Sequence, residues 1–242
     1  MIKRGILIND AVHTGDNLDL LLKAYDLGTP EPKLNAFDLA GVDGTTDFTE
    51  AYDGTVYYSN RHMSFTFFAA GSRYNVLNVC QTLKQYHGLH VTIVFDDEPQ
   101  YYYEGRAAVR ITEMGGTYAY IAFELDAFPY KRSKTPIAFE HTVTSNGEEV
   151  TFTNQSSMPV RLSFYVDGVT DPAEENYRAR FLVGNKSIYI PKDDFEETVE
   201  SDFIVQRGET VSVKFNLRKV LNDKPVSFSS ATFSIIHTRG YL

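Results

Sequence analysis

Apolar and polar positions alternate along the first half of the chain. The alternation runs through residues 63–67 and 89–95, and it returns at 107–111 and 119–125. A period of two is typical of half-buried β-strands. The last two runs are joined by a segment containing Gly115-Gly116, a pair that suits a tight hairpin turn. The pattern therefore predicts an antiparallel sheet.

One segment, Ser72 to His87, departs from this alternation and has helical spacing instead. Its apolar positions are Val76, Leu77, Val79, Cys80, Leu83 and Tyr86. Gly88 follows as a helix stop, because glycine readily adopts the left-handed conformation that ends helices. One helix should therefore interrupt the sheet. Cys80 lies on its apolar stripe, which favours a buried core thiol over a reactive one.

The composition changes at "PYKRSKTP", residues 129–136, where two prolines bracket three basic residues. Turn-rich sequence with short alternating runs follows, which predicts a β-sandwich. We therefore place a domain boundary here, with an N-terminal domain at 1–135 and a C-terminal domain at 136–242. Two charged stretches of the second half, 171–180 and 192–200, are interpreted as solvated loops.

Composition and charge narrow the class of protein. Cys80 is the one cysteine in 242 residues, so an internal disulfide is excluded and a reducing cytosol is expected. The net charge is -9, with 12 basic against 17 acidic residues up to Thr135 and 11 against 15 afterwards. Such even acidity disfavours nucleic acid and anionic membranes as partners. No apolar run approaches about 20 residues, so neither a membrane span nor a signal peptide is expected.

Motifs that would carry catalysis are missing from the sequence. It lacks G-x-S-x-G, a P-loop, H-E-x-x-H and G-x-G-x-x-G, and its six histidines are scattered. Asp43, Asp47 and Glu50 lack the ligand spacing of a calcium loop. The sequence therefore predicts no enzyme, no metal and no cofactor. A cell-wall hydrolase is a weak competing hypothesis that rests only on carboxylates, namely Glu174, Glu175, Asp193 and Glu197.

Turn chemistry is concentrated between residues 27 and 50, "LGTPEPKLNAFDLAGVDGTTDFTE". This stretch holds two prolines, three glycines and five carboxylates. Loops longer than about 12 to 15 residues in a compact domain are usually functional or disordered. A polar loop of this kind is expected to dock on a partner without exposing an apolar patch. A plain surface loop is the alternative.

The order of several segments resembles the distal tail protein (Dit) family of long-tailed phages and prophages. The resemblance is carried by "DLLLKAYDLGTPEPKLNAFDLAGVDGTTDFTEAY", "YSNRHMSFTF", "EPQYYYEGRAAV" and "DAFPYKR". It extends over residues 5 to about 135. Less specific likenesses follow in "EVTFTNQSSMPVRLSFYVDG", "FIVQRGETVSVKF" and "RGYL". The resemblance implies a mainly β protein: a β-barrel-like antiparallel sheet domain with one helix, then a galectin-like β-sandwich. It also implies that the terminal strand can return toward the first domain.

The resemblance further implies a structural function. Six copies of the N-terminal domain would form a homohexameric ring at the virion tail tip, assembled in the host cytoplasm. This ring would join the tail tube protein to the tail-associated tip protein and support assembly around the tape-measure protein. The residues that the pattern places at the oligomer interface are Pro30, Pro32, Asp43, Gly44, Asp47, Glu50 and Arg61. For Arg61, a salt bridge within its own sheet is an equally good interpretation.

Binding of host glycan by the second domain is the competing function, since galectin-like domains often bind carbohydrate. Sugar sites of that fold centre on a tryptophan, and this chain has none. Tyr165, Tyr177 or Tyr189 would have to replace the indole as a stacking surface. The sequence therefore favours the structural role over an adhesion module.

Overall fold

The computed structural model describes residues 4–51 and 54–242, and the chain divides into two compact units. The first unit comprises residues 1–134 together with Leu242, and the second comprises 135–241. Each has its own core of buried apolar side chains. The prediction of a mainly β protein is confirmed.

The first unit is built around one antiparallel sheet. Its strand order is β2-β1-β7-β8-β9-β6-β3, and β10 pairs with β8. The predicted hairpin is confirmed, because β8 and β9 pair antiparallel across the Gly115-Gly116 segment. The elements are β1 (Ile6–Ile8), β2 (Val12–His13), β3 (Leu21–Asp26), β4 (Ala36–Asp38), β5 (Thr45–Asp47), β6 (Arg61–Ala70), α1 (Arg73–Lys84), β7 (His90–Phe95), β8 (Tyr101–Met114), β9 (Tyr118–Ala127) and β10 (Lys131–Ser133).

The predicted helix is α1, and its N-terminus is capped by Ser72. The side chain of Ser72 accepts a hydrogen bond from the backbone N–H of Asn75 at 3.3 Å, which satisfies one of the free donors of the first turn. Val76, Cys80 and Leu83 are buried in the core of the first unit. The prediction of a core thiol at Cys80 is confirmed.

Three details of the predicted apolar pattern are wrong. Leu77 was placed on the apolar stripe of α1, but it is 44% exposed because the buried face is narrower than the stripe. The strand predicted from Leu89 begins at His90, and Leu89 is 52% exposed. On the same strand Val94, a position expected on the polar face, is buried. Burial on both faces hides the period of two there.

The second unit is a sandwich of two four-stranded antiparallel sheets around a shared core. The sheet orders are β11-β18-β13-β16 and β12-β17-β14-β15. Phe164 of the first sheet stacks on Phe181 of the second, with ring centroids 4.4 Å apart. The elements are β11 (Ile137–Val143), β12 (Glu149–Thr153), β13 (Val160–Thr170), β14 (Tyr177–Val183), β15 (Lys186–Pro191), a 3-10 turn (Lys192–Asp194), β16 (Thr198–Val205), β17 (Thr210–Lys219), β18 (Ser230–His237) and β19 (Gly240–Tyr241).

The two charged stretches interpreted as loops are partly strands. Residues 177–180 belong to β14, an inner strand of its sheet, and 198–200 begin β16. The interpretation was wrong because the polar positions that alternate with buried residues in β14 are long arginine side chains. Arg178 and Arg180 point away from the core, while Tyr177 is buried.

Candidate assembly surface

The connection from β3 to β6 forms an arm, residues 27–51 and 54–60, that extends the β3–β6 hairpin. Near its base the backbone N–H of Lys33 donates to the carbonyl of Tyr57 at 2.7 Å, and Ser59 donates to Glu31 at 2.8 Å. Gly28 turns the chain at the base with a φ of 61°, and a Cβ there would collide with the His62 backbone. Because a side chain cannot be accommodated, glycine is required at this bend.

The outer part of the arm is a two-stranded ribbon formed by β4 and β5. Phe37 pairs with Thr46 in the ladder. The rings of Phe37 and Phe48 stack with centroids 5.1 Å apart and an interplanar angle of 18°. Isolated two-stranded hairpins are marginally stable in water, so this ribbon has little support of its own.

Every residue of the arm from 31 to 45 is exposed. The exposed apolar side chains include Leu34 (69%), Phe37 (47%), Leu39 (41%), Val42 (56%) and Phe48 (37%). None of these residues belongs to the core cluster of the first unit, as far as the described residues show. The expectation of a loop without an apolar patch is therefore wrong. Large apolar side chains exposed in one short segment are typical of an interaction site.

The arm is also acidic. Residues 27–50 contain five carboxylates and one lysine, a net charge of -4. Two of these carboxylates are used in the ribbon: Asp38 accepts from the hydroxyl of Thr45 at 2.8 Å, and Asp47 accepts from the backbone of Thr49 at 2.8 Å. Hydrogen bonds from the side chain and backbone of Thr49 hold the pKa of Asp47 below its ordinary value. The arm therefore carries exposed apolar side chains together with a net negative charge.

Within residues 4–51 and 54–134, the sheet of the first unit ends in two different open edges. β2 lies at one end and β3 at the other. β3 is long for an edge strand, six residues, and five of them are exposed. Unpaired strand edges are templates for pairing with another chain. Two unlike edges on one sheet allow head-to-tail contacts, which close a ring when the rotation between copies fits.

The structure places Arg61 inside its own unit. The guanidinium is 5% exposed and donates to the carbonyl of Pro129 through two nitrogens, at 2.8 and 3.0 Å. It lies over the ring of Tyr103, whose hydroxyl donates to Glu98, and Glu98 pairs with Lys131 at 2.6 Å. Burial lowers the pKa of Arg61 and raises that of Tyr103. Arg61 thus binds a backbone carbonyl, whereas the sequence offered a salt bridge or a contact across the ring.

The other six predicted interface residues all lie in the arm. Pro30 is buried at its base, and Pro32 forms a backbone bridge with Tyr58. Asp43 and Gly44 occupy the exposed turn between β4 and β5, and Gly44 has a φ of 79°. Asp47 lies on β5, and Glu50 is exposed just after it. Sequence reasoning located the arm but missed its apolar side chains, although Phe37 and Phe48 flanking a D-G turn were a visible signal.

The residues of the competing hypotheses are distributed differently. Of the three tyrosines considered for sugar stacking, Tyr177 is buried and Tyr189 is 37% exposed. Of the carboxylates of the hydrolase hypothesis, Glu174 pairs with Lys219. Among the described residues, no three His, Cys, Asp or Glu side chains are grouped so as to hold a metal. No helix in the described part of the chain is long and apolar enough to cross a membrane.

Comparison with known proteins gives a likeness in structure. No family model and no curated protein matches the chain. One similar solved structure is the crystal structure of phage SPP1 Dit, which is described as a paradigm of hub adsorption apparatus in phages infecting Gram-positive bacteria. The match covers 98% of this chain and 99% of that chain, with a TM-score of 0.56 and 14% sequence identity. The phage P2 baseplate in its activated conformation with Ca matches at a TM-score of 0.43 and 12% identity, over 98% of both chains. The chain therefore has the fold of a phage Dit hub protein, as the sequence resemblance implied.

Proposed function

We propose that this protein is a structural hub of a phage tail tip, without catalytic activity. Six copies form a ring through their first units, in the virion, between the tail tube protein and the tail-associated tip protein. Assembly takes place in the host cytoplasm around the tape-measure protein. The number of copies and these partners come from the family resemblance, and the fold shared with SPP1 Dit supports them.

The observation that carries the proposal is the arm. Five large apolar side chains are exposed on a ribbon too small to have a core of its own. A neighbouring copy that covers them would remove apolar surface from water, which stabilises the contact by about 25 cal/mol per Å². Because the arm and the surface that it covers differ, the contact is head-to-tail and suits a ring.

Light scattering over a range of concentrations tests the ring. The monomer has a mass of 27.4 kDa, so six copies have a mass of 6 × 27.4, or 164.4 kDa. We expect a discrete species at the hexamer mass. A protein that stays monomeric up to about 1 mM would have contacts weaker than about 4 kcal/mol, and this would contradict a ring that closes by itself.

Variants of the arm test whether the proposed contact is responsible for the mass of the assembly. In the double variant Phe37→Ser, Phe48→Ser, each change removes a half-exposed ring whose burial is worth about 1 kcal/mol. We therefore expect about 30-fold weaker association per contact. Leu221→Ser is the matched control, because Leu221 is 95% exposed in the second unit. Equal effects of the two changes would show that the arm is not the contact.

A further inference from the structure

The second unit carries an arginine-rich surface that the hub role does not use. We name it the arginine face: Arg178, Arg180, Tyr189, Asn216 and Arg218. These residues lie on the outer face of the β12-β17-β14-β15 sheet, since their neighbours along each strand are in the core. Two of the three strands involved, β14 and β17, are inner strands of that sheet.

Strand register brings the five residues together. Arg180 lies opposite Asn216 on β17 and opposite Tyr189 on β15. Arg178 lies opposite Arg218 in the next outward-facing row. The guanidinium carbon of Arg178 is 4.1 Å from the ring centroid of Tyr189, and that of Arg180 is 5.6 Å from it. The tyrosine ring thus holds two arginines in place through cation–π contacts.

This arrangement is unfavourable for the fold alone. Like charges directly opposite each other on neighbouring strands are destabilising, and Arg178 faces Arg218. The Nε–H groups of both are buried and have no hydrogen-bond acceptor among the described residues. Buried donors without an acceptor cost stability. Asp223 offsets this cost only in part, and an anionic ligand would offset the rest.

Carboxylates compensate the arginine face only in part. Asp223 accepts from Arg178 at 3.1 Å, and its backbone carbonyl accepts from Arg218 at 3.1 Å. Arg180 donates to the hydroxyl of Ser187, at 2.9 and 3.0 Å, rather than to a carboxylate. Three arginines against one aspartate leave a charge of +2, on a half of the chain whose 11 basic and 15 acidic residues give -4.

The neighbouring cleft does not share this charge. It has a volume of approximately 540 Å³ and lies between the edges of β15 and β16. Its two basic side chains, Arg161 and Lys186, are matched by Glu200 and Asp202. An anion is therefore expected to bind at the arginine face and not in this cleft.

Polar groups that suit sugar hydroxyls flank the arginines. Ser187 contributes a hydroxyl on the same face, and the hydroxyl of Ser212 donates to Glu149. Asn216 lies in the row of Arg180 and is 9% exposed. Guanidinium groups bind planar oxyanions through paired, charge-assisted hydrogen bonds. Nucleic acid is less well matched, since the acidic chain around this small patch would repel the extended phosphate backbone.

We propose that the arginine face binds the anionic groups of an acidic polysaccharide. Arg180 pairs with the anion, Arg178 and Arg218 add charge, and the hydroxyl of Ser187 contacts a sugar hydroxyl. The stacked ring of Tyr189 is covered by Arg178, so charge and hydrogen bonds carry recognition in place of the stacked indole of neutral sugar sites. This role goes beyond the hub function and does not depend on ring formation.

Calorimetric titration of the full chain tests the proposal, with tetragalacturonate as the probe and its fully methyl-esterified form as the matched neutral ligand. We expect binding of the acid at low salt, weakening as salt rises, because exposed charges are screened. We expect at least about 10-fold weaker binding of the ester, given the strength of hydrogen bonds between charged groups. Equal binding of the two, or no binding of the acid, overturns the proposal.

Matched variants locate the site. Arg180→Gln is expected to weaken binding of tetragalacturonate by about 10-fold or more, and Arg218→Gln serves as a second variant if the first does not fold. Arg161→Gln removes an exposed arginine from the opposite sheet and should leave binding unchanged. The proposal is overturned if all three changes weaken binding equally.

Two further results would assign the face elsewhere. Tighter binding of a single-stranded DNA oligonucleotide than of tetragalacturonate, lost in Arg180→Gln, would make it a nucleic-acid site. Loss of the oligomer in Arg180→Gln, measured by light scattering, would make it a contact between copies. Either result overturns the polysaccharide proposal.

Discussion

His237 should make the second unit sensitive to mild acid. Its ring is 3% exposed, lies parallel to Phe139 at 5.8 Å and meets Phe152 edge-on at 5.1 Å. Burial lowers the pKa of His237 from 6.5 to about 4, and the positive charge of Arg239 acts in the same direction. Neither ring nitrogen has a hydrogen-bond partner among the described residues. The folded protein therefore holds this imidazole neutral.

The sign of the effect follows from proton binding. Between about pH 6.5 and 4 the unfolded chain binds a proton at His237 and the folded chain does not, so the free energy of unfolding falls as the pH falls. The stabilisation is complete above pH 6.5. A pKa difference of roughly 2.5, at 1.36 kcal/mol for each pH unit, gives a loss of about 3 kcal/mol by pH 4.

His237→Phe keeps the aromatic packing and removes the titration. Hydrogen exchange of peptides from β13 and β18, followed by mass spectrometry at several pH values, reports the opening free energy of the second unit. We expect the wild type to lose about 3 kcal/mol between pH 7 and 4 in excess of the variant. His62→Gln, an exposed histidine of the first unit, is the control and should behave as wild type. Equal losses in the wild type and His237→Phe would refute the reasoning.

Three other substitutions or measurements test the packing. Gly105→Ala should destabilise the first unit by about 1 to 3 kcal/mol in urea unfolding, since its Cβ would overlap the backbone of β9, whereas Gly116→Ala faces open space and should be neutral. Cys80 should resist a thiol reagent at pH 8 until urea unfolds the protein, because burial raises its pKa more than nearby Lys84 lowers it. Asn154→Ala should destabilise the second unit by about 2 kcal/mol in hydrogen exchange, since the buried amide donates to three carbonyls.

The sheet strands and the helix were readable from the sequence where burial is one-sided. Phe65 and Phe67 are fully buried and Thr66 between them is not, so the period of two is visible. The pattern failed at Val94, where both faces of β7 are covered. It failed again at β14, because the long arginine side chains on the outer face of this inner strand gave the sequence the charged composition of a solvated loop.

The arm was located by its turn residues, but its surface was not predicted. Proline, glycine and carboxylates marked residues 27–50 as irregular, and their abundance concealed Phe37 and Phe48. Exposure is a property of what the rest of the chain leaves uncovered, and a sequence pattern does not report it. The contact of Arg61 was not predicted because its carbonyl partner, Pro129, lies 68 residues away in the sequence.

The two proposed surfaces differ in rigidity, and this difference makes them separable. The arm is a two-stranded ribbon with little packing, so contact with a neighbour must order it, and that cost lowers the affinity of the contact. The arginine face lies mostly on inner strands, and Tyr189 and Asp223 already hold its arginines. Preorganised groups lose little entropy on binding. Changes at Phe37 should therefore alter the mass of the assembly and leave anion binding per copy intact, and Arg180→Gln should do the reverse.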